Sequence, residues 1–131
     1  MRVFTAVCVT FVLTATSLAA KPPLRDVQEI DDMVMVIAVA NEIRKRCDDI
    51  SARLLLAYST VNGLKALARD MGYTEDEIDE YVNSKSEKKR MRAKAEGFLA
   101  KNGVREDDRK ALCSFGKRQI QSQTEIGRLL Q

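Results

Sequence analysis

The chain has 131 residues, 22 Lys and Arg against 19 Asp and Glu, a net charge of +3, and 45% hydrophobic residues. That length holds one small domain and excludes a TIM barrel, a kinase and a two-domain dehydrogenase, and the apolar content excludes a compositionally disordered chain. The absence of His removes the commonest general base and the commonest zinc ligand, while 6 Gly, 2 Pro and no Trp suit helices better than strands and turns.

Met1-Arg2 is a short basic start, and Val3 to Ala20 then carries no charge over 18 residues before Lys21. The segment ends in small residues, Thr16-Ser17-Leu18-Ala19-Ala20, the order of a cleavable secretory signal peptide at 1–20. Cleavage after Ala19 sets Ser17 and Ala19 at the two small positions; cleavage after Ala20 is the alternative and puts the bulkier Leu18 at the outer one. An uncleaved N-terminal membrane anchor is the competing reading, since the run falls just short of the roughly 20 residues of a spanning helix. Cys8 leaves with the peptide. Removing 1–20 takes away one cation, Arg2, and leaves a net charge of +2. Such near-balance gives no global attraction to nucleic acid or anionic membrane. With export, it argues against a nucleic-acid partner and against stable membrane insertion after cleavage.

Residues 21–131 are expected to form a single helical domain with 21–26 as an extended lead-in, because each proline of Lys21-Pro22-Pro23-Leu24-Arg25 disfavours helix in the residue before it. Asp26, with Glu29 three residues on, can cap a first helix from about Val27 to Arg46. Its stripe of Ile30, Met33, Val34, Ile37, Ala40 and Cys47 is widened by Val36, Val39 and Ile43, which suits a central helix covered on more than one side. The run Met33–Ala40 would also suit a buried strand, but it continues into Asn-Glu-Ile-Arg-Lys without Gly or Pro. Arg44-Lys45-Arg46 complements the negative end of the dipole. Asp48 and Asp49 offer caps for a second helix from about Asp49 to Met71. Its inward stripe would be Ile50, Leu54, Ala57, Tyr58, Val61, Leu64, Ala68 and Met71, with Asn62-Gly63 as a weak point and Gly72 as terminator.

Thr74-Glu75-Asp76-Glu77 is a strong start for a third helix reaching about Lys101, ended by Gly103. Its apolar stripe lapses: Ile78, Tyr81 and Val82 face inward, Asn83 to Arg90 has no apolar residue, and Met91, Ala95, Phe98 and Leu99 resume it. Such a helix either projects past its neighbours or bends at the lapse. A last helix begins near Glu106-Asp107-Asp108 and carries Leu112, Cys113, Phe115 and Ile120. Ser122-Gln123-Thr124 interrupts it before a short final turn, Ile126 to Leu130. The fold class is therefore all-α, a small bundle of four to five helices. Cys47 and Cys113 read as a disulfide in an exported chain, and the chain-entropy model gives about 4 kcal/mol for closing that loop. A redox pair would have close spacing.

Most catalytic motifs fail. The S-x-x-K pattern occurs at Ser86/Lys89 and Ser114/Lys117 without its companion motifs or scaffold. A calcium loop starting at Asp70 would have Gly72 at its third position, Glu75 at its sixth and Tyr81 at its twelfth, which is not an EF-hand. No metal, no cofactor and no catalytic residue is indicated. One feature stands out: Lys85–Lys94 carries six cations and one acid. Lys85, Lys88, Lys89 and Arg92 fall at i, i+3, i+4, i+7 and share one helix face. The face is either a solvated surface complementing the dipole or a docking surface for an acidic partner: an acidic protein, a lipid head group or a polysaccharide.

The segments KPPLRDVQEIDD, EIRKRC, NGLK, GYTEDEIDEYVNSKSEKKRMRAKAE and LCSFGKRQI followed by IGRLL together resemble an uncharacterised family of short exported proteins. It is described only as a domain of unknown function, from Rhodobacter-type alphaproteobacteria. The resemblance runs from Lys21 to Leu130, includes both cysteine positions, and implies a Gram-negative periplasm. It implies no activity or ligand. The expected role is a non-enzymatic periplasmic interaction or accessory protein using the basic face. The alternative is a carrier of a small apolar ligand between helices, with Met33, Met35, Met71 and Met91 as adaptable lining.

Overall fold

A computed structural model describes residues 20–131; apart from Ala20, the expected signal segment and Cys8 lie outside the described residues. These residues form a 3-10 turn, Leu24–Asp26, and six α-helices: α1 Gln28–Arg46, α2 Leu54–Asp70, α3 Glu75–Asn83, α4 Lys85–Lys101, α5 Arg109–Gln121 and α6 Glu125–Arg128. Two differences raise the count above four to five. The long third helix is two helices, and the final turn is a helix in its own right.

The lead-in is not extended throughout. Pro23 sets up a turn in which the Asp26 amide donates to its carbonyl at 2.9 Å, and Leu24 is buried. Asp26 is consumed by that turn, so Val27 begins α1 without a side-chain cap. Lys21 Nζ donates to the Gly72 carbonyl at 2.6 Å, and the Tyr73 hydroxyl donates to the Pro22 carbonyl at 2.5 Å, fastening this segment to the α2–α3 turn.

Helix α1 is the central element, as its wide stripe implies. Val36, Val39, Ala40 and Ile43 share a main core with Ile50, Ala95, Leu99, Val104, Leu112, Phe115, Ile126, Leu129 and Leu130. Phe98 meets Phe115 edge to face at 6.2 Å between ring centres. A smaller core joins Leu24, Ile30, Ala68, Tyr73 and Ile78 at the other end of α1. Cys47 and Cys113 are bonded, with Cα atoms 5.6 Å apart, so the start of the loop after α1 is tied to the middle of α5.

Helix α2 departs from expectation in both start and orientation. Asp48 and Asp49 do not cap it; they pair with Arg109 and Lys117 of α5, each at 2.5 Å. Ser51 to Arg53 instead form an antiparallel bridge with the C-terminal residues, the Ser51 amide donating to Gln131 at 2.8 Å and the Arg53 amide to Leu129 at 2.9 Å. The helix therefore begins only at Leu54, and it passes unbroken through Asn62-Gly63. Half of its expected inward stripe faces solvent: Leu54, Tyr58, Val61 and Met71 are exposed, Ala57 and Leu64 are half-buried, and only Ile50 and Ala68 are buried; Leu55 and Leu56, outside the stripe, are exposed too, Leu55 to 89%.

The lapse in the apolar stripe is a bend. Ser84 ends α3 in extended geometry and caps α4, its hydroxyl accepting from the Glu87 amide at 3.2 Å. The start at Thr74 is a full capping box with Glu77. Gly72 and Gly103, at φ of 91° and 77°, turn the chain after α2 and α4 in the left-handed conformation that glycine adopts without strain. At Gly127 the reason for glycine is space: α6 lies so close to α5 that a Cβ would meet the Gln119 carbonyl and stand 2.7 Å from the Ile120 nitrogen.

Candidate functional site

The six cations of Lys85–Lys94 divide into two groups. Arg90 and Lys94 turn inward, at the spacing that continues Glu87 and the buried Met91 and Ala95 down the packed side of α4. There they meet Asp31 of α1, a residue the sequence analysis did not single out. Asp31 is 5% exposed and Glu87 7%. Asp31 accepts from Lys94 at 2.7 Å, from the Tyr81 hydroxyl at 3.2 Å, and from both terminal nitrogens of Arg90. Lys94 also reaches Asp32 at 2.7 Å, and Glu87 accepts from Arg90 at 2.8 Å and from Arg25.

This clasp fills the lapse in the apolar stripe. In place of hydrophobic side chains, α4 seats an ion network against α1, and every buried side-chain nitrogen or oxygen among the described residues has a partner. Burial pushes the Asp31 carboxyl up, but the hydrogen bonds and charges of Arg90 and Lys94 outweigh it and hold it below the usual carboxylate range. Burial would lower Lys94; its bonds to Asp31 and Asp32 outweigh that and raise it. The Tyr81 hydroxyl is raised by burial and by the neighbouring Asp31 charge. The signal for the clasp was an acid beside Ile30 on the apolar side of α1, opposite a cation run. What could not be read was that 59 residues of chain return Arg90 to it.

Lys85, Lys88, Lys89 and Arg92 form the second group. All four are exposed, and none has an ion-pair partner among the described residues. The clasp fixes α4 so that this face points away from α1. Lys88 and Arg92 also stand on the rim of a half-open groove of about 1120 Å³ bounded by α1, α2 and α4. Val34, Ile37 and Ala38 of α1 form its floor, Val61, Leu64 and Ala68 of α2 one wall, and Met91, Ala95 and Leu99 of α4 the other. Ile78, Tyr81 and Val82 of α3 bound one end, and Val104, Arg105 and Glu106 the other. Of the four methionines expected as ligand lining, only Met91 borders this groove. Met33 and Met35 pack against the main core, and Met71 is exposed.

Neither serine–lysine pattern is assembled. The Ser86 hydroxyl lies 2.8 Å from that of Ser84, and Lys117 pairs with Asp49. The acids after Asp70 serve the helix terminus and local pairs: Glu77 closes the capping box, and Glu75 pairs with Arg69. Among the described residues no three Cys, Asp or Glu side chains gather as metal ligands, and no helix is long and apolar enough to cross a membrane.

No curated protein and no solved structure matches the chain. A family model does, over residues 22–131, nearly the whole of what the structure describes, including both cysteines, the clasp and the basic face. The chain belongs to the family of unknown function DUF5333.

Proposed function

We propose that this is an exported, periplasmic, non-enzymatic interaction or accessory protein whose contact surface is the outer face of α4, with Lys85, Lys88, Lys89 and Arg92 receiving an acidic partner. One observation carries the reading. Of six cations in ten residues, two are neutralised inside the protein, while four stay exposed on one face with no ion-pair partner among the described residues. A helix that needed charge only for solubility would pair or intersperse its signs. Export and the Rhodobacter-type setting are parts of the same proposal: export is supported by the order of residues 1–20 and by the disulfide, and the setting by the resemblance over Lys21–Leu130.

The test replaces the four cations with alanine and crosslinks the wild-type and variant proteins in the periplasm. Capture of an acidic protein, glycan or anionic lipid by the wild type, lost in the variant with melting unchanged, supports the reading; identical crosslinked partners refute it. Recovery of the chain inside the cell with its first methionine attached and both thiols alkylatable refutes export. The second reading is a carrier of a small apolar ligand, for which the groove is the place to look. A bound mass in native mass spectrometry of protein purified from its own source supports the carrier, and its repeated absence counts against it.

A further inference from the structure

We infer that the groove between α1, α2 and α4 receives an amphipathic helix of a partner protein, its apolar stripe on the floor and its acidic flank along the α4 rim. The inference rests on the basic-face reading and names the kind of partner that face would take. The size of the groove is the first reason. About 1120 Å³ lies above the usual range of small-molecule pockets, roughly 300–1,000 Å³, and those sites enclose most of their ligand. This groove is half-open, so a small apolar ligand would stay partly wet, whereas a helix needs its other face in water. The lining runs along α1 from Ile30 to Arg46, about 24 Å at 1.5 Å per residue, which is the length of a helix of more than four turns. Val61 and Val82, both exposed apolar residues, border it. Apolar anchors at helical spacing seated in such a trough are a recurring mode of recognition.

Charge selects the occupant. Along the rim Lys45, Lys88 and Arg92 have no ion-pair partner among the described residues, and Lys85 and Lys89 extend the same sign along α4. Among the described residues Glu96 and Glu106 are the lining acids without an ion-pair partner, two against those three cations, so cations are in excess. A second copy of this chain is a poor fit. Its exposed apolar helix, α2, has no acid from Leu54 to Arg69, and its two cations, Lys65 and Arg69, are paired with Asp79 and Glu75, so it brings no negative stripe to the rim.

Fluorescence anisotropy with the disulfide-intact protein tests this, using three labelled peptides of about 18 residues. One has a leucine stripe with glutamate elsewhere, the second is its scramble, and the third keeps the stripe with lysine for glutamate. The striped acidic peptide is expected to bind about tenfold or more tightly than either control. Ala38→Trp on the floor and Val61→Asp on the exposed wall should each weaken it about tenfold, with the melting curve of at least one variant unchanged. Equal binding of striped and scrambled acidic peptides, both lost when the four α4 cations are removed, overturns the groove and leaves the basic face standing. Equal binding of the acidic and lysine stripes overturns the acidic flank. Binding of oleate or phosphatidylglycerol vesicles with no binding of any peptide overturns the inference in favour of a lipid.

Discussion

Replacing Asp31 with alanine tests how α4 is held. The carboxylate is 5% exposed and accepts from Tyr81, Arg90 and Lys94. Removing one member of a fully buried ion pair costs about 3–5 kcal/mol, because the other charge is stranded. Here the stranded side chains keep 31% and 32% of their surface in water, and each retains a second acid, Glu87 for Arg90 and Asp32 for Lys94. The expected loss is therefore nearer 2–3 kcal/mol (an order-of-magnitude value). For a domain of this size that corresponds to a fall in Tm of about 8–12 °C. Urea unfolding followed by far-UV circular dichroism should show a lower midpoint with an unchanged slope. Acid titration adds a second readout. The folded carboxyl lies below its ordinary value of 3.8, so its contribution is present above that pH and is lost as pH falls through the folded value. The wild type and Asp31→Ala should therefore converge in stability below about pH 4. Lys94, raised above 10.5, keeps its contribution below that pH and loses it as pH rises through the folded value. A loss under about 0.5 kcal/mol at neutral pH, or a gap between the proteins that stays constant through the acid limb, would refute the idea that an ion clasp replaces hydrophobic packing here.

Four further outcomes follow from the structure. Cys47→Ala with Cys113→Ala opens a closure of 66 residues and should cost about 4 kcal/mol in urea unfolding; equal stability of the wild type with and without reductant would contradict it. Gly127→Ala forces a methyl group against the backbone of Gln119 and Ile120 and should cost about 3 kcal/mol or more, since α6 must lift and uncover Ile126, Leu129 and Leu130. Wild-type melting of that variant would show that α6 does not sit this close. Thr74→Ala removes one side of the capping box and should cost about 1 kcal/mol, whereas neutralising Lys85, Lys88, Lys89 and Arg92 together should change the midpoint by no more than about 0.5 kcal/mol.

Local signals were legible and non-local ones were not. The bounds of α1, the Thr74 start and the stops at Gly72 and Gly103 follow from neighbours in sequence, and the Cys47–Cys113 pairing was reached through the expectation of export. The start of α2 was misplaced because Asp48 and Asp49 look like caps until α5 supplies Arg109 and Lys117. Periodicity gave α2 an apolar stripe correctly but cannot say that a stripe is covered, and half of this one is not. Asn83 to Arg90 had no apolar residue to mark its packed side, because Glu87 and Arg90 take that place through a partner carboxylate 59 residues earlier. The four exposed cations were visible as a face from their spacing alone; the trough that Lys88 and Arg92 border required the fold.

The trough has unequal sides. α4 is clamped to α1 by the Asp31 network and by core residues along its length, whereas α2 is held only in part: Leu67 and Ala68 meet the small core and Ala57 touches the main one, leaving Leu54, Leu55 and Leu56 in its first half exposed. Amides along that first half should exchange with solvent fastest among the long helices. If the groove takes a partner helix as proposed, a stiff jaw opposite a yielding one would adjust to its girth, and discrimination would fall to the charges lining the stiff jaw rather than to tightness of fit.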